Sequence, residues 1–393
     1  MLVTLCVTEI TSWGVLYYAF PVLATEINAD TGWSVVSVTA AFSGSLLMAA
    51  LVGIWVGRVL DRRGPRAVMT AGSVLAVPAV LLIAAAQNLA WFCAAWLLAG
   101  VAMGAVLYPP AFAALTRWYG PRRVRALTVL TLAAGLASTV FAPLTAVLAA
   151  HLSWRGVYVV LAIVLAVVTV PGHALGLRGP WPEPVDEGPV TAARAPARVL
   201  RSRAFIALVA ALALSGFVAS AVVINLVPLL VDRGIDPATA ALALGLGGAG
   251  QVLGRLGYSS LARRLGVRAR LVLVLLGVAG TTALLGVLTS AAALIFAATV
   301  AGAARGILTL LNATAVTDRW GAAHYGRLSG VLSAPLTVTT ALAPWAGASL
   351  AAVVGGYSPM FLVLAASTLG ATALALASTP PQLSERKSCT TSS

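Results

Sequence analysis

The sequence predicts an all-α polytopic membrane protein with twelve transmembrane helices in two pseudo-symmetric six-helix bundles. Three observations carry this. Of the 393 residues, 60% are hydrophobic and only 9% charged, against about 25% charged in soluble domains. Apolar runs of the length that crosses a bilayer recur along the whole chain. The polar breaks between them alternate between arginine-rich and arginine-poor.

The runs fall near residues 2–24, 34–56, 67–87, 90–116, 126–149, 156–177, 204–230, 238–261, 271–289, 291–316, 328–350 and 359–378. The first begins at Met1 with no basic segment before it and no small-residue cleavage site after it, so it reads as a retained span rather than a signal peptide. Ser34 stands where a cap would start span 2, and Asp236-Pro237 reads as a capped start for span 8. Tyr108 precedes Pro109 and Pro110, which should distort span 4.

Orientation follows from the loops. Arg58, Arg62, Arg63 and Arg66 follow span 2, and Arg117, Arg122, Arg123 and Arg125 follow span 4. Arg178, Arg194, Arg198, Arg201 and Arg203 follow span 6, and Arg263, Arg264, Arg268 and Arg270 follow span 8. The opposite loops hold only Arg155 and Arg233. Both termini are therefore expected in the cytoplasm. The net charge of +14 sits in these short clusters, which is not the continuous basic face of a nucleic-acid binder. Cys6, Cys93 and Cys389 are scattered and odd in number, so no disulfide framework is implied. The expected organisation is a bundle over 1–177, a proline-rich cytoplasmic linker over 178–203, a bundle over 204–378 and a cytoplasmic tail over 379–393.

A single shift of 202 residues superposes landmarks of the two halves. Arg62, Gly64 and Arg66 fall on Arg264, Gly266 and Arg268; Gly100 and Gly104 on Gly302 and Gly306; and Arg117, Trp118 and Arg125 on Arg319, Trp320 and Arg327. Two parallel six-span repeats joined by a linker match a secondary-transporter layout.

The stretch GRVLDRRGPR, Gly57 to Arg66, resembles the loop 2–3 signature of the major facilitator superfamily, with Pro65 where a basic residue is usual. The stretch RWYGPRRVRALTVLTLAAG, Arg117 to Gly135, is similar to the span 4–5 junction of bacterial members related to monocarboxylate porters and oxalate–formate exchangers. The resemblance covers essentially the whole chain. It implies the twelve-helix fold, a bacterial inner membrane, and a cytoplasmic latch built on Gly57, Asp61, Arg62, Gly64 and Arg66. Asp61 would there meet a helix N-terminus and arginines across the seam between the halves. The alternative is that these arginines only fix topology. The second half has Arg263 at the aspartate position, which weakens its own latch.

Three ionisable residues lie inside spans: Glu9, Arg255 and Arg305. A charge in hydrocarbon is costly, so each is a candidate functional residue. Arg255, in GQVLGR, matches the span 8 arginine that related carboxylate porters use to hold an anionic substrate, as the resemblance implies. A planar fork of donors suits a carboxylate. The plainer reading of Arg255 is a side chain reaching to the interface. Arg305 is either a second substrate contact or a structural partner of Glu9. Glu9 is read as a proton carrier, as the standing counter-ion of one arginine, or as a residue nearer the interface because the chain starts upstream. Trp13, Tyr17, Tyr108, Asn225 and Gln251 are further candidates to line the cavity, although most aromatic residues in spans are packing or anchors. Trp33, Trp91, Trp118, Trp154 and Trp320 read as interface belt residues.

Other motifs carry less. Gly245, Gly247 and Gly250 spell GxGxxG, but inside a span they indicate close helix packing, as do GIWVG from Gly53 and GVAMG from Gly100. His151, His173 and His324 lack ligand spacing, so no metal or other cofactor is expected. No HExxH or GxSxG is present, which argues against an enzyme. The expected function is secondary active transport of a small organic anion such as a monocarboxylate, coupled to a proton or a counter-ion, with membrane lipid as surroundings. A dicarboxylate is disfavoured because span 11 has no basic residue between Leu328 and Leu350. The alternative is efflux of a drug or metalloid, against which span 5 lacks an adjacent glycine-proline pair.

Overall fold

A computed structural model of the protein describes residues 1–120, 123–181, 195–320 and 325–378. The centre of the expected linker, the tail and the side chain of Asp61 lie outside the described residues. Twelve long helical rods run through the rest. Span 1 is Leu2–Thr31, span 2 Val35–Arg63, span 3 Pro65–Ala84 and span 4 Leu89–Tyr119. Span 5 is Arg125–Ala149, span 6 Trp154–Gly176, span 7 Arg203–Asp232 and span 8 Pro237–Arg264. Span 9 is Val267–Val287, span 10 Ala291–Thr314, span 11 Tyr325–Val354 and span 12 Tyr357–Leu376. Eleven of these are long and apolar enough to cross a membrane, and span 8 is the exception. Its glycines, Gln251 and Arg255 lower its mean hydropathy.

The helix starts are written locally. Ser34, Asn88, Ser153, Ser202, Asp236 and Ser290 each accept a hydrogen bond from a backbone N–H three residues on, which satisfies an otherwise orphaned donor. Span 2 turns into span 3 at Gly64, whose φ of 75° is a left-handed value, with Pro65 opening the next helix. Span 4 breaks at Leu107 just ahead of the two prolines, as the sequence suggests. Span 1 runs to Thr31, farther than its apolar pattern extends, and closes on Gly32.

The packing repeats between the halves. Span 2 packs on span 4 as span 8 packs on span 10, and span 3 packs on span 6 as span 9 packs on span 12. The 202-residue shift holds at the level of backbone contact. A Cβ on Gly100 would lie 2.3 Å from the Ser45 carbonyl oxygen, and one on Gly302 would lie 1.9 Å from that of Gly247. Gly104 faces Ala49 and Gly306 faces Gln251 in the same way, at 2.8 and 2.1 Å. Only glycine lets these backbones approach so closely. The GIWVG pair behaves differently, because a Cβ on Gly53 or Gly57 would meet nothing. The halves meet where span 2 packs on span 11, span 5 on span 8, and the later part of span 1 on span 7.

Arg155 and Arg233, on the arginine-poor side, tie helix ends together. Arg155 pairs with Asp30 at the end of span 1 and donates to the Ala86 carbonyl after span 3, at 3.1 Å. Arg233 at the end of span 7 donates to the Leu288 and Gly286 carbonyls at the end of span 9 and to the Ser358 hydroxyl of span 12, at 2.8 Å. Each arginine thus links the first, third and sixth span of its half. Trp154 belongs to the first of these ties rather than to a belt. It is fully buried, and its indole donates to Asp30 at 2.8 Å. Trp118 is likewise engaged, donating to the Pro180 carbonyl at 3.1 Å.

On the arginine-rich side, Arg66 donates to the Ala174 carbonyl at the end of span 6, at 2.8 Å, within its own half. Trp181 lies against Gly64 and under the Arg117 guanidinium, 4.5 Å from ring centroid to carbon. Arg62 is exposed.

Gly302→Leu should lower the thermal unfolding temperature in detergent by an amount equivalent to about 1–3 kcal/mol, the usual cost of overpacking. Gly280→Leu, at a position with no neighbour within 4 Å, should leave that temperature unchanged.

Candidate functional site

Span 1 is not a continuous α-helix. Between Trp13 and Ala19 it forms a π-helical turn, Gly14–Tyr18, of the kind found as single turns at functional sites. Gly14 sits against the Phe141 ring of span 5, where a Cβ would lie 2.2 Å from the ring carbons. The extra residue in the turn brings the adjacent Tyr17 and Tyr18 to different partners. The Tyr17 hydroxyl meets Ser220 of span 7 at 3.4 Å, across the seam between the halves. The Tyr18 hydroxyl lies beside Ser138 of span 5 and within electrostatic reach of Arg305 and Arg255.

Arg255 is 7% exposed and points toward the first half. It donates through Nη1 to the Thr131 carbonyl of span 5 and lies beside the Tyr108 hydroxyl of span 4. Its Nε is buried with no partner, and among the described residues no carboxylate pairs with it. It therefore does not reach for the interface. Gly135 makes room for it: a Cβ there would lie 3.0 Å from Arg255 Nη1, and the Thr131 carbonyl accepts from both Arg255 and the Gly135 N–H. Arg305 of span 10 is held by the Gln251 side chain, Nε to Oε1 3.3 Å. The close glycine packing of spans 8 and 10 places these two residues side by side.

Glu9 is fully buried. One carboxylate oxygen accepts from the Trp13 indole at 3.0 Å, and the other has no partner. The expectation of a standing ion pair with Arg255 or Arg305 is corrected here, since Glu9 pairs with neither. The link is indirect: the Trp13 ring packs on Tyr108 with centroids 4.9 Å apart, and Tyr108 touches Arg255. Asn225 also moves out of the site. Its side chain donates to its own helix at Ala221, 2.8 Å, and lies against Gly347 of span 11.

The structure thus gathers Glu9, Trp13, Tyr17, Tyr108, Gln251, Arg255 and Arg305, and adds Tyr18, Ser138 and Ser220, which the sequence reading missed. Tyr18 escapes a sequence reading because its partners lie on spans 5, 8 and 10, which only the packing reveals. The latch residues Gly57, Arg62, Gly64 and Arg66 lie away from this site, at the arginine-rich end.

The chain matches the Major Facilitator Superfamily over residues 5–292 and 226–390. It belongs to that family. It is an integral membrane transport protein, and not an enzyme. Over 376 residues it is 25% identical to monocarboxylate transporter 13 of Rattus norvegicus, covering 91% of this chain and 82% of that one. It is 28% identical to the Bos taurus protein of the same name over 248 residues, 62% of this chain and 55% of the relative, so that match spans about half the relative's length. In fold it is similar to a bacterial homologue of the human lysosomal transporter Spinster, in an inward-facing and occupied conformation, with TM-score 0.76, 14% identity and 96% of each chain covered. It is also similar to the nucleoside transporter NupG, with TM-score 0.78, 13% identity and 96% and 99% of the chains covered.

Gly14→Val should lower thermal stability, because the new side chain must displace the Phe141 ring. Combining it with Phe141→Ala should recover part of the loss, and a purely additive loss would show that the two do not share this contact.

Proposed function

We propose that this chain is a secondary active transporter of a small organic anion, a monocarboxylate, which it moves by alternating access between the halves. The observation that carries the reading is Arg255, a buried guanidinium with a free donor and no carboxylate partner among the described residues. A buried charge without a counter-ion costs several kcal/mol, and a bound carboxylate would supply that counter-ion in the bidentate geometry guanidinium favours. The names of the curated relatives point the same way. Arg305, already steadied by Gln251, is the second cationic group of the site, and Tyr17 and Tyr108 line it. Tyr17 bridges to span 7 and Tyr108 steadies Arg255.

Glu9 is the proton-coupling residue on this reading. Its proton state is felt at Arg255 through the Trp13 indole and the Tyr108 ring, so anion arrival and proton transfer are linked through two intervening side chains rather than by one ion pair. Gly57, Asp61, Arg62, Gly64 and Arg66 form the conformational latch of the arginine-rich end. That end is cytoplasmic, with both termini, in a bacterial inner membrane. The two bundles over 1–177 and 204–378, joined by the linker over 178–203, are the parts that rock, and 379–393 is a tail.

In proteoliposomes, Arg255→Ala should reduce carboxylate uptake at least ~30-fold, the least expected when one member of a buried charged pair is removed. Arg255→Lys should recover only part of it, because an ammonium lacks the planar fork. Unchanged uptake in Arg255→Ala would remove it from the site. Wild-type uptake should rise as the external pH falls. Glu9→Gln should abolish that dependence, and a retained dependence would leave Glu9 structural.

A further inference from the structure

The two walls of the candidate site differ in chemistry. Spans 1 and 4 supply a continuous run of rings: Phe112, Tyr108, Trp13, Tyr17 and Tyr18. Successive centroids lie 4.9, 4.9, 5.3 and 5.1 Å apart. Spans 8 and 10 supply Arg255, Gln251 and Arg305. Four of these rings are only partly buried, while Tyr17 is buried and meets Phe42 of the core, centroids 5.4 Å apart. Phe20, Phe42, Phe92 and Trp96 pack against one another with 0–1% exposure, whereas Trp13, Tyr18, Tyr108 and Phe112 each keep part of their surface open. Tyr108 and Tyr18 also join the walls, the first lying beside Arg255 and the second near both arginines.

We infer that the anion this chain carries bears an aromatic ring, with its carboxylate on Arg255 and its ring among Trp13, Tyr18 and Tyr108. The inference rests on the proposed anion site and deepens it. A two- or three-carbon acid placed on Arg255 would cover little of the ring wall. An aryl carboxylate reaches it and gains both buried apolar area and the offset or edge-on contacts that aromatic pairs favour. The wall is made mainly of ring surface, with the Tyr18 and Tyr108 hydroxyls at its arginine-facing edge.

The test is equilibrium binding to the purified full-length chain, read from the affinities for benzoate, phenylacetate, cyclohexanecarboxylate, lactate and uncharged benzamide. Benzoate or phenylacetate should bind at least ~10-fold more tightly than lactate, the order expected of one ring's burial and stacking. Both should lose binding in Arg255→Ala, and benzamide should bind weakly throughout. In Tyr108→Leu and Tyr18→Leu the aryl-to-lactate ratio should fall below ~3-fold as ring contacts are lost. The wild-type ratio stands as a test even if a variant misfolds. Lactate binding as tightly as benzoate, with Arg255 still required, would overturn the aromatic assignment and leave the monocarboxylate reading in place. Cyclohexanecarboxylate equal to benzoate would also overturn it, since apolar bulk alone would then suffice. If no acid of the panel binds, the monocarboxylate reading falls together with this inference.

Discussion

A guanidinium buried among membrane-spanning helices constrains everything around it. Such a group is tolerated only where polar atoms from several helices converge on it. Here they come from two. The Thr131 carbonyl is supplied by span 5 and the neighbouring Tyr108 hydroxyl by span 4, around Arg255 of span 8. The carbonyl is reachable because Gly135, at the turn of span 5, has no Cβ to stand in the way, and Tyr108 opens the second part of span 4 just after its break at Leu107. Irregular backbone at membrane depth is expected only beside protein or a polar cavity, and both breaks face Arg255. The π turn of span 1 is a third irregularity in the same region. The regular helices of the bundle hold these three departures in place.

Glycine packing sets the other side of the site. Gly250 and Gly254 lie so close to span 10 that a Cβ on either would be 2.1 Å from a carbonyl oxygen, of Thr299 and Ala303. At that separation Gln251 reaches Arg305 directly. The first half repeats the close approach of spans 2 and 4, but with Ser45 and Ala49 where the second half has Gly247 and Gln251. The shared backbone geometry therefore carries charge in one half and rings in the other. This asymmetry, laid on a symmetric frame, gives the site its two unlike walls.

Much of this was legible in the chain itself. Apolar run length and arginine alternation predicted the twelve rods, and the 202-residue shift predicted which glycines would play equivalent parts. Arg255, Arg305, Gln251, Tyr17 and Tyr108 were marked because a polar or ionisable group inside an apolar run is conspicuous. What stayed hidden depends on local register or on distant partners. Tyr18 is placed only by its distant neighbours on spans 5, 8 and 10, and Ser138 and Ser220 look like ordinary small residues of a span until they are placed against tyrosine hydroxyls. A standing counter-ion is one of three readings the sequence leaves open for Glu9, and the indole four residues on is nearer than either guanidinium. Trp154 read as an interface anchor, whereas the paired Asp30 and Arg155 draw it into the bundle.

The most direct measurement of the central claim is a ligand-bound structure with a bromine-labelled carboxylate, located by anomalous scattering. The account predicts the carboxylate within hydrogen-bond distance of Arg255, its bromine lying toward Trp13 and Tyr108. A carboxylate found elsewhere, with the Arg255 Nε still unpartnered, would contradict it.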